Sequence, residues 1–524
     1  MSFQAIWLKC FILAFNAHWL YKNAHNHTQE TPMKKAVLTQ TERHFFKTVH
    51  NAAFANPFSE LRERLDQKIA GLFPSAARRK SKDMCVLEVD RQLKKLARQN
   101  RGNINQYTGE DQEVLRVVYL FDIFHKFRDR FDQLIQDQIT AQDEPVPVDF
   151  VDEALEMMKE KGFSTSRFYH YFALSFQLRR AFYFISNTLV GVSPCMKTFK
   201  KHLWYNVFTY NIGLYDQHLW NRMEDFSTLL LGETGTGKGT AARAIGMSGF
   251  IPFDIKQRCF VQSFTRAFSS LNLSQYPETL LESELFGHTK GAFTGAVEDY
   301  QGVLDRCSPH GAILLDEIGE IPDHIQVKLL RVLQERTFTP VGAHGLSRFN
   351  GRVIAATNRP KKEIMDGRVF REDFYYRLCS DIIEVPPLHT RIQQDPAELD
   401  TLLDFTVTRM LGLASPKITA KIKRIIDRRL GNHYSWPGNV RELEQCVRSV
   451  LLRRDYFGKQ EPEDVSLSSF LCRGIQAQNL PVSDLLSGYC TLLYETLGTY
   501  EKVARKTGLD RRTVKKYIMN HKQT

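Results

Sequence analysis

No two of the nine cysteines of this chain (Cys10, Cys85, Cys195, Cys259, Cys307, Cys379, Cys446, Cys472 and Cys490) stand in a CxxC or other zinc-ligand spacing. Their odd number and scatter argue against a disulfide framework and predict free thiols in a reducing compartment. Nor is there an unbroken apolar run of membrane-crossing length. The stretch from Phe3 to Tyr21 is interrupted by Lys9 and His18, and no basic flank or small-residue cleavage site frames it. This argues against a membrane span and a cleaved leader. Met33, followed by Lys34 and Lys35, is an alternative start, with residues 1–32 as an upstream extension. Repeats and low-complexity runs are lacking too. Acidic charge is in deficit: Asp and Glu number 59 against 71 Lys and Arg, a net +12. Such a balance suggests a polyanionic partner without saying which.

What is present reads as about three domains of ordinary size. From about 40 to 185 apolar residues recur at three and four, as in Glu110–Thr140 and Phe150–Lys161, which predicts helices. Phe168–Ile185 is rich in Phe and Tyr and reads as core. From about Gly191 to Pro387 short apolar runs (Ser227–Leu231, Ala312–Leu315, Arg352–Ala356) alternate with glycine-rich turns and helices. That alternation predicts a parallel α/β domain. A helical stretch follows to about Arg454, then a polar linker from Phe457 to Ser468, then a small helical segment from about Pro481.

Leu229–Leu231 runs into Gly232-Glu233-Thr234-Gly235-Thr236-Gly237-Lys238-Gly239-Thr240. A strand, then GxxxxGK, then a helix is the pattern of a phosphate-binding loop. Its backbone N–H groups curl round phosphates, and the lysine neutralises their charge. Gly239 stands where that pattern has Ser or Thr. Ala312–Leu315 ends in Asp316 and Glu317, the arrangement in which one carboxylate holds Mg²⁺ through water and the next polarises an attacking water. Together the two motifs predict nucleoside triphosphate hydrolysis. Arg352–Ala356 leads to Thr357 and Asn358, either of which would sit beside the nucleotide at the carboxyl edge of a parallel sheet.

Between these motifs stand Glu282–His288 and then Gly291-Ala292-Phe293-Thr294-Gly295-Ala296. The hexapeptide resembles the signature loop of the sigma-54-dependent activators, the bacterial enhancer-binding proteins. The resemblance covers roughly 190–450 and the C-terminal segment. It implies a AAA+ ATPase, a ring of subunits (hexameric), ATP and Mg²⁺ as cofactors, and sigma-54 RNA polymerase holoenzyme and upstream double-stranded DNA as partners in a bacterial cytoplasm. It implies that the hexapeptide touches sigma-54, and that Asn272 pairs with Glu317. Arg371 or Arg377, in Phe370–Leu378, is implied as an arginine finger acting in a neighbouring subunit, and Arg441 as the lid arginine that meets ATP. Tyr500–Ile518 reads as helix, turn, helix. Val503, Leu509, Val514 and Ile518 are its core and Asp510 caps its second helix. Arg511, Arg512, Thr513, Lys515 and Lys516 are placed on DNA, in a tail from Glu501 to Thr524 that holds +6 of the net +12.

The expected chain is therefore multidomain. An apolar extension of uncertain nature spans 1–32, and a helical N-terminal regulatory region of unknown type spans 33–187. An α/β AAA+ P-loop core covers 188–390 and its helical lid 391–455. A linker (456–480) leads to an all-α helix-turn-helix (481–524). A AAA+ remodeller of other proteins, a DNA-binding protein with a lapsed ATPase and a DNA-handling motor remain the competing readings. The departures from the family are Gly239, where Glu is usual, and the loose stretch Pro386–Arg391.

Overall fold

The computed structural model describes residues 35–72, 78–431, 434–456, 467–476 and 480–521. The apolar extension and most of the linker lie outside them. The chain divides into two compact units, residues 1–401 and 402–524. Among the described residues no helix is long and apolar enough to cross a membrane.

The first unit opens with helices. Gln40–Phe54 starts on a capping box, in which Thr39 accepts from the Glu42 N–H and the Glu42 carboxylate accepts from the Thr39 N–H. Glu60–Ile69, Arg78–Arg98, Gly109–Lys126, Arg128–Ala141, Val151–Glu160 and Thr165–Asn187 follow. The expected helix Glu110–Thr140 is thus two helices. They part at Phe127, whose backbone is non-helical (φ −95°, ψ 5°) and whose buried ring stacks on Phe150 at 5.5 Å. Tertiary packing of that ring overrides a periodicity that runs on unbroken.

The centre is a parallel sheet of five strands: β1 (Thr228–Leu231), β2 (Phe268–Asn272), β3 (Ala312–Asp316), β4 (Arg352–Thr357) and β5 (Asp381–Glu384), in the order β2-β3-β4-β1-β5. The three inner strands are those expected from their apolar runs, which suit burial on both faces. The edge strands β2 and β5 carry Ser, Asn, Asp and Glu and gave no such signal. Leu229, Leu231, Ile313, Leu315 and Val353 pack on one face with Ile325, Leu329 and Phe374. On the other face, Leu230, Leu314, Ile354 and Ile383 share one core with the helix Lys238–Gly246 and with the N-terminal helices as far back as Leu38.

That second core crosses the boundary expected at 187/188 without a break. Phe176 stacks on Phe260 at 4.3 Å, Phe184 meets Phe264 edge-on at 5.5 Å, and Phe172 meets Phe253 edge-on at 5.2 Å. Each such ring contributes about 1.5–3 kcal/mol of burial. At its foot the sheet is fastened by the buried Arg352. It donates to the Phe226 carbonyl (2.9 Å), the Asn206 side chain (2.9 Å) and Thr228 Oγ1 (3.1 Å). Burial lowers its pKa to about 10.

In the second unit the helix Asn439–Arg453 begins after the turn Trp436-Pro437-Gly438. Glu442 gathers that turn, accepting from the Gly438 N–H (2.8 Å), the Tyr434 hydroxyl (2.6 Å) and the Tyr456 hydroxyl (3.2 Å). The chain's last described stretch is a three-helix cluster: Val482–Leu497, Tyr500–Thr507 and Arg511–His521. It is closed over Cys490, Val503, Val514 and Ile518, with Leu509 and Ala504 against them.

Candidate functional site

The site forms at the carboxyl ends of β1, β3 and β4. Leaving β1, the chain turns through Gly232–Gly237 and enters the helix Lys238–Gly246. Gly235 (φ +82°) and Gly237 (φ +105°) take left-handed backbone that a side chain would strain. A Cβ at Gly237 or Gly239 would meet nothing within 4 Å, so the loop mouth is open. Thr236 Oγ1 donates to the Glu233 carbonyl (2.8 Å) and braces the turn. Lys238 is buried, its Nζ donating to the carbonyls of Gly232 (2.8 Å) and Glu233 (3.2 Å). Gly239 and Thr240 are exposed in the first helical turn.

Asp316 ends β3, next to Ala356 of β4 and Asn272 of β2 in register. Glu317 follows in left-handed conformation (φ 56°), which turns its carboxylate across to β4. There it accepts from the Asn358 N–H (3.4 Å), while Asn358 Nδ2 donates to Thr234 Oγ1 of the P-loop (3.3 Å). Asn358 thus joins the two motifs, whereas Thr357 is fully buried and accepts from the Arg359 N–H (3.1 Å). Asn272 is not brought to Glu317. Its Oδ1 is taken by the N–H (3.1 Å) and hydroxyl (2.8 Å) of Ser274, an Asx turn that closes the strand end.

The donor set fits a nucleotide with a divalent cation. Left-handed glycines, a helix amino end and a lysine suit phosphates, and paired carboxylates stand opposite.

The hexapeptide forms a tight protruding loop. The Gly291 N–H donates to the Ala296 carbonyl (2.8 Å) and the Ala296 N–H to the Phe293 carbonyl (3.0 Å). Gly291 (φ +81°) and Gly295 (φ +107°) give it its curvature. Ala292 is half-buried, Thr294 is exposed and Ala296 is buried. Phe293 is 37% exposed, its ring edge-on to His288 at 4.9 Å. The loop's foot is clamped where the His288 and Tyr300 backbones exchange hydrogen bonds (2.9 and 2.8 Å) and the Thr289 N–H donates to the Val341 carbonyl (3.0 Å). The helix Glu278–Phe286 joins this foot to β2.

Of the two candidate finger arginines, Arg371 is held by Asp373 (2.9 Å), a pair that raises the guanidinium's pKa and lowers the carboxylate's. Arg377 is exposed. Arg441 is exposed in the first turn of the helix Asn439–Arg453, in the second unit.

In the C-terminal cluster Asp510 caps the last helix as expected. It accepts from the N–H groups of Arg512 (2.8 Å) and Thr513 (3.1 Å), and with the Thr513 hydroxyl these hold its carboxyl below the usual range. Arg512, Lys515 and Lys516 are exposed and Thr513 is half-buried, while Arg511 is paired with Glu501 at 2.8 Å.

Known proteins share this geometry's segment. Residues 216–384 match the family described as the sigma-54 interaction domain. The domain is of the AAA+ ATPase type, and it holds the P-loop, the carboxylate pair, the hexapeptide loop and both finger candidates. The Nif-specific regulatory protein of Azotobacter vinelandii is 37% identical over 325 residues, 62% of this chain and 54% of that protein. The transcriptional regulatory protein GlrR of Escherichia coli is 36% identical over 305 residues, 57% of this chain and 63% of that protein. The match thus spans less than two thirds of either relative. NtrX from Brucella abortus in complex with ATP aligns at 18% identity with a TM-score of 0.39, over 71% of this chain and 80% of that one, a likeness too weak to carry weight.

The sequence reading missed Ser274 as the partner of Asn272, and Gln177 and Arg180, described below. A Ser two residues after a strand-ending Asn was a usable signal for the first. A Gln and an Arg within a Phe-rich helix gave none.

Proposed function

We propose that this chain is an ATP-dependent activator of transcription by sigma-54 RNA polymerase holoenzyme, held on upstream DNA by its C-terminal helices. The observation that carries the reading is continuity within the sigma-54 interaction domain. One segment runs from Asn272, beside Asp316, through the helix Glu278–Phe286 to the exposed Phe293 and Thr294. A change at the phosphate end has a short mechanical route to the loop.

In this reading ATP and Mg²⁺ supply the scissile phosphoryl group and the charge that balances it. The loop Gly232–Gly237 cradles the phosphates by its N–H groups, and Lys238 leaves its two carbonyls to neutralise them. Asp316 holds the cation through water, Glu317 takes the proton of the attacking water, and Asn358 keeps Glu317 aimed. Asn272 exchanges Ser274 for Glu317 as the phosphate state changes. Subunits form a ring, a hexamer. Arg371 or Arg377 reaches the phosphate of the neighbouring subunit, so hydrolysis depends on assembly. Arg441 meets the nucleotide from the lid. Gly291–Ala296 presses on sigma-54. Arg511, Arg512, Thr513, Lys515 and Lys516 lie along the DNA groove and backbone.

The test is Thr294→Ala. It is expected to keep ATP hydrolysis within about twofold while open-complex formation by sigma-54 holoenzyme falls by about 2 kcal/mol or more, some thirtyfold. Full activation by this variant overturns the loop assignment.

A further inference from the structure

The helical N-terminal region holds a cavity of about 740 Å³, partly open to solvent, the size of a site for one small organic molecule. Its walls come from the helices Gln40–Phe54, Arg78–Arg98, Gly109–Lys126 and Thr165–Asn187, with Trp204 and residues 212–217 of the first unit's core on one side. Six aromatic rings line it: Phe54, Phe121, Phe124, Tyr171, Phe182 and Trp204.

Its polar equipment is selective. Arg62 is spent on Asp66 (2.7 Å), Arg179 on Asp132 (2.5 Å) and Arg128 on Asp129 (2.9 Å), and Arg116 is paired with Glu113. His125 is different. Its Nδ1 is buried and meets no hydrogen-bond partner among the described residues. Its ring stands edge-on to Phe121 at 4.4 Å and to Phe124 at 5.2 Å. A buried polar atom left so carries an uncompensated desolvation cost. Burial, then the surrounding Arg62, Lys82, Arg128 and Arg179, keep this imidazole well below its ordinary pKa. It is therefore neutral, and one ring nitrogen carries a proton to donate. The Lys82 ammonium lies over the Phe182 ring, 4.6 Å from its centre, at the edge of the same space.

We propose that this cavity binds a small aromatic carboxylate, its rings packed among the phenyl groups and its carboxylate accepting hydrogen bonds from His125 and Lys82. Rings satisfy the walls, and His125, which lines the cavity, carries a ring N–H for the carboxylate.

The position of the site gives such a ligand a readout. The helix Thr165–Asn187 lines the cavity with Tyr171, Leu174, Leu178 and Phe182. Its other side meets the end of the P-loop helix. Gln177 donates to the Ser248 carbonyl (2.9 Å), and the fully buried Arg180 donates to the carbonyls of Met247 (2.7 Å) and Gly249 (2.7 Å). One helix thus touches both the ligand space and the element that begins at Lys238.

The test uses the full chain and 1-naphthoate, with 1-naphthylmethanol as its uncharged twin, titrated by calorimetry. Saturable binding of one naphthoate per chain is expected, with the alcohol at least about tenfold weaker, the weight of one charge-assisted hydrogen bond. His125→Leu and Lys82→Gln are each expected to weaken naphthoate about tenfold and leave the alcohol unchanged. Ser175→Phe, at the half-buried wall, is expected to fill the cavity and abolish both. Circular dichroism checks that each variant is folded; if Ser175→Phe is not, the His125 and Lys82 variants decide. Lack of saturable naphthoate uptake, equal binding of the alcohol, or uptake untouched by these substitutions overturns the proposal. Because the readout is binding alone, its failure leaves the sigma-54 reading standing, and failure of Thr294→Ala leaves this one standing.

Discussion

At its amino end the helix Lys238–Gly246 is met by left-handed glycines and open space, with Lys238 folded back on its own loop. At its carboxyl end the carbonyls of Met247, Ser248 and Gly249 are all taken, by Arg180 and Gln177 from the N-terminal half. Both ends obey the same electrostatics, since a helix is positive where its N–H groups lie bare and negative where its carbonyls do. The negative end is sealed by a guanidinium that has no carboxylate partner among the described residues, and burial lowers its pKa to about 9. The positive end is left for something that comes and goes. The difference teaches that the N-terminal half is part of how the P-loop helix is held.

The largest effect should come from breaking the open end. Lys238→Ala is expected to weaken ATP binding more than about a hundredfold, measured with a fluorescent nucleotide, while the nucleotide-free chain melts within about 2 °C of the parent. A large loss of stability instead would mean that this end is structural too. Arg180→Met breaks the sealed end. It strips two part-buried carbonyls of their donor, and about 2–4 kcal/mol of stability should go, read from the urea transition of residues 1–401. An unchanged transition would erase the contrast between the ends. Gln177→Ala removes one donor to Ser248 and a partner of the Tyr215 hydroxyl (2.7 Å), for a loss of about 1 kcal/mol.

The smallest change is a control remote from both ends. Asp111 is gripped by Arg43 (2.7 and 2.8 Å) and by the Leu38 N–H (3.1 Å), which hold its carboxyl below the usual range. Its folded value thus lies under the unfolded value of about 3.9. The stabilisation is present above that value and is lost as pH falls through the folded one. Asp111→Asn should flatten the acid limb of stability below about pH 4 and leave nucleotide binding unaltered.

Much of the nucleotide end was legible because its chemistry constrains residue type. Left-handed turns call for Gly235 and Gly237, doubly buried strands for runs such as Ala312–Leu315, and the helix cap for Asp510. The edge strands escaped because half-exposed Ser269 and Asp381 and exposed Ser270 blur an apolar pattern. The break at Phe127 escaped because nothing local stops a helix there; a distant ring does. Asn272 shows the limit of resemblance: the pairing with Glu317 that the resemblance implies is not formed, and its side chain answers to Ser274. The cavity and the Arg180 seal rest on residues far apart in the chain, and no spacing announces them.

The aromatic seam of Phe172, Phe176 and Phe184 against Phe253, Phe260 and Phe264 has a practical corollary. A fragment cut to begin at 188 is expected to bare an apolar flank and to aggregate. Whoever wants the α/β domain by itself must carry the preceding helix along with it.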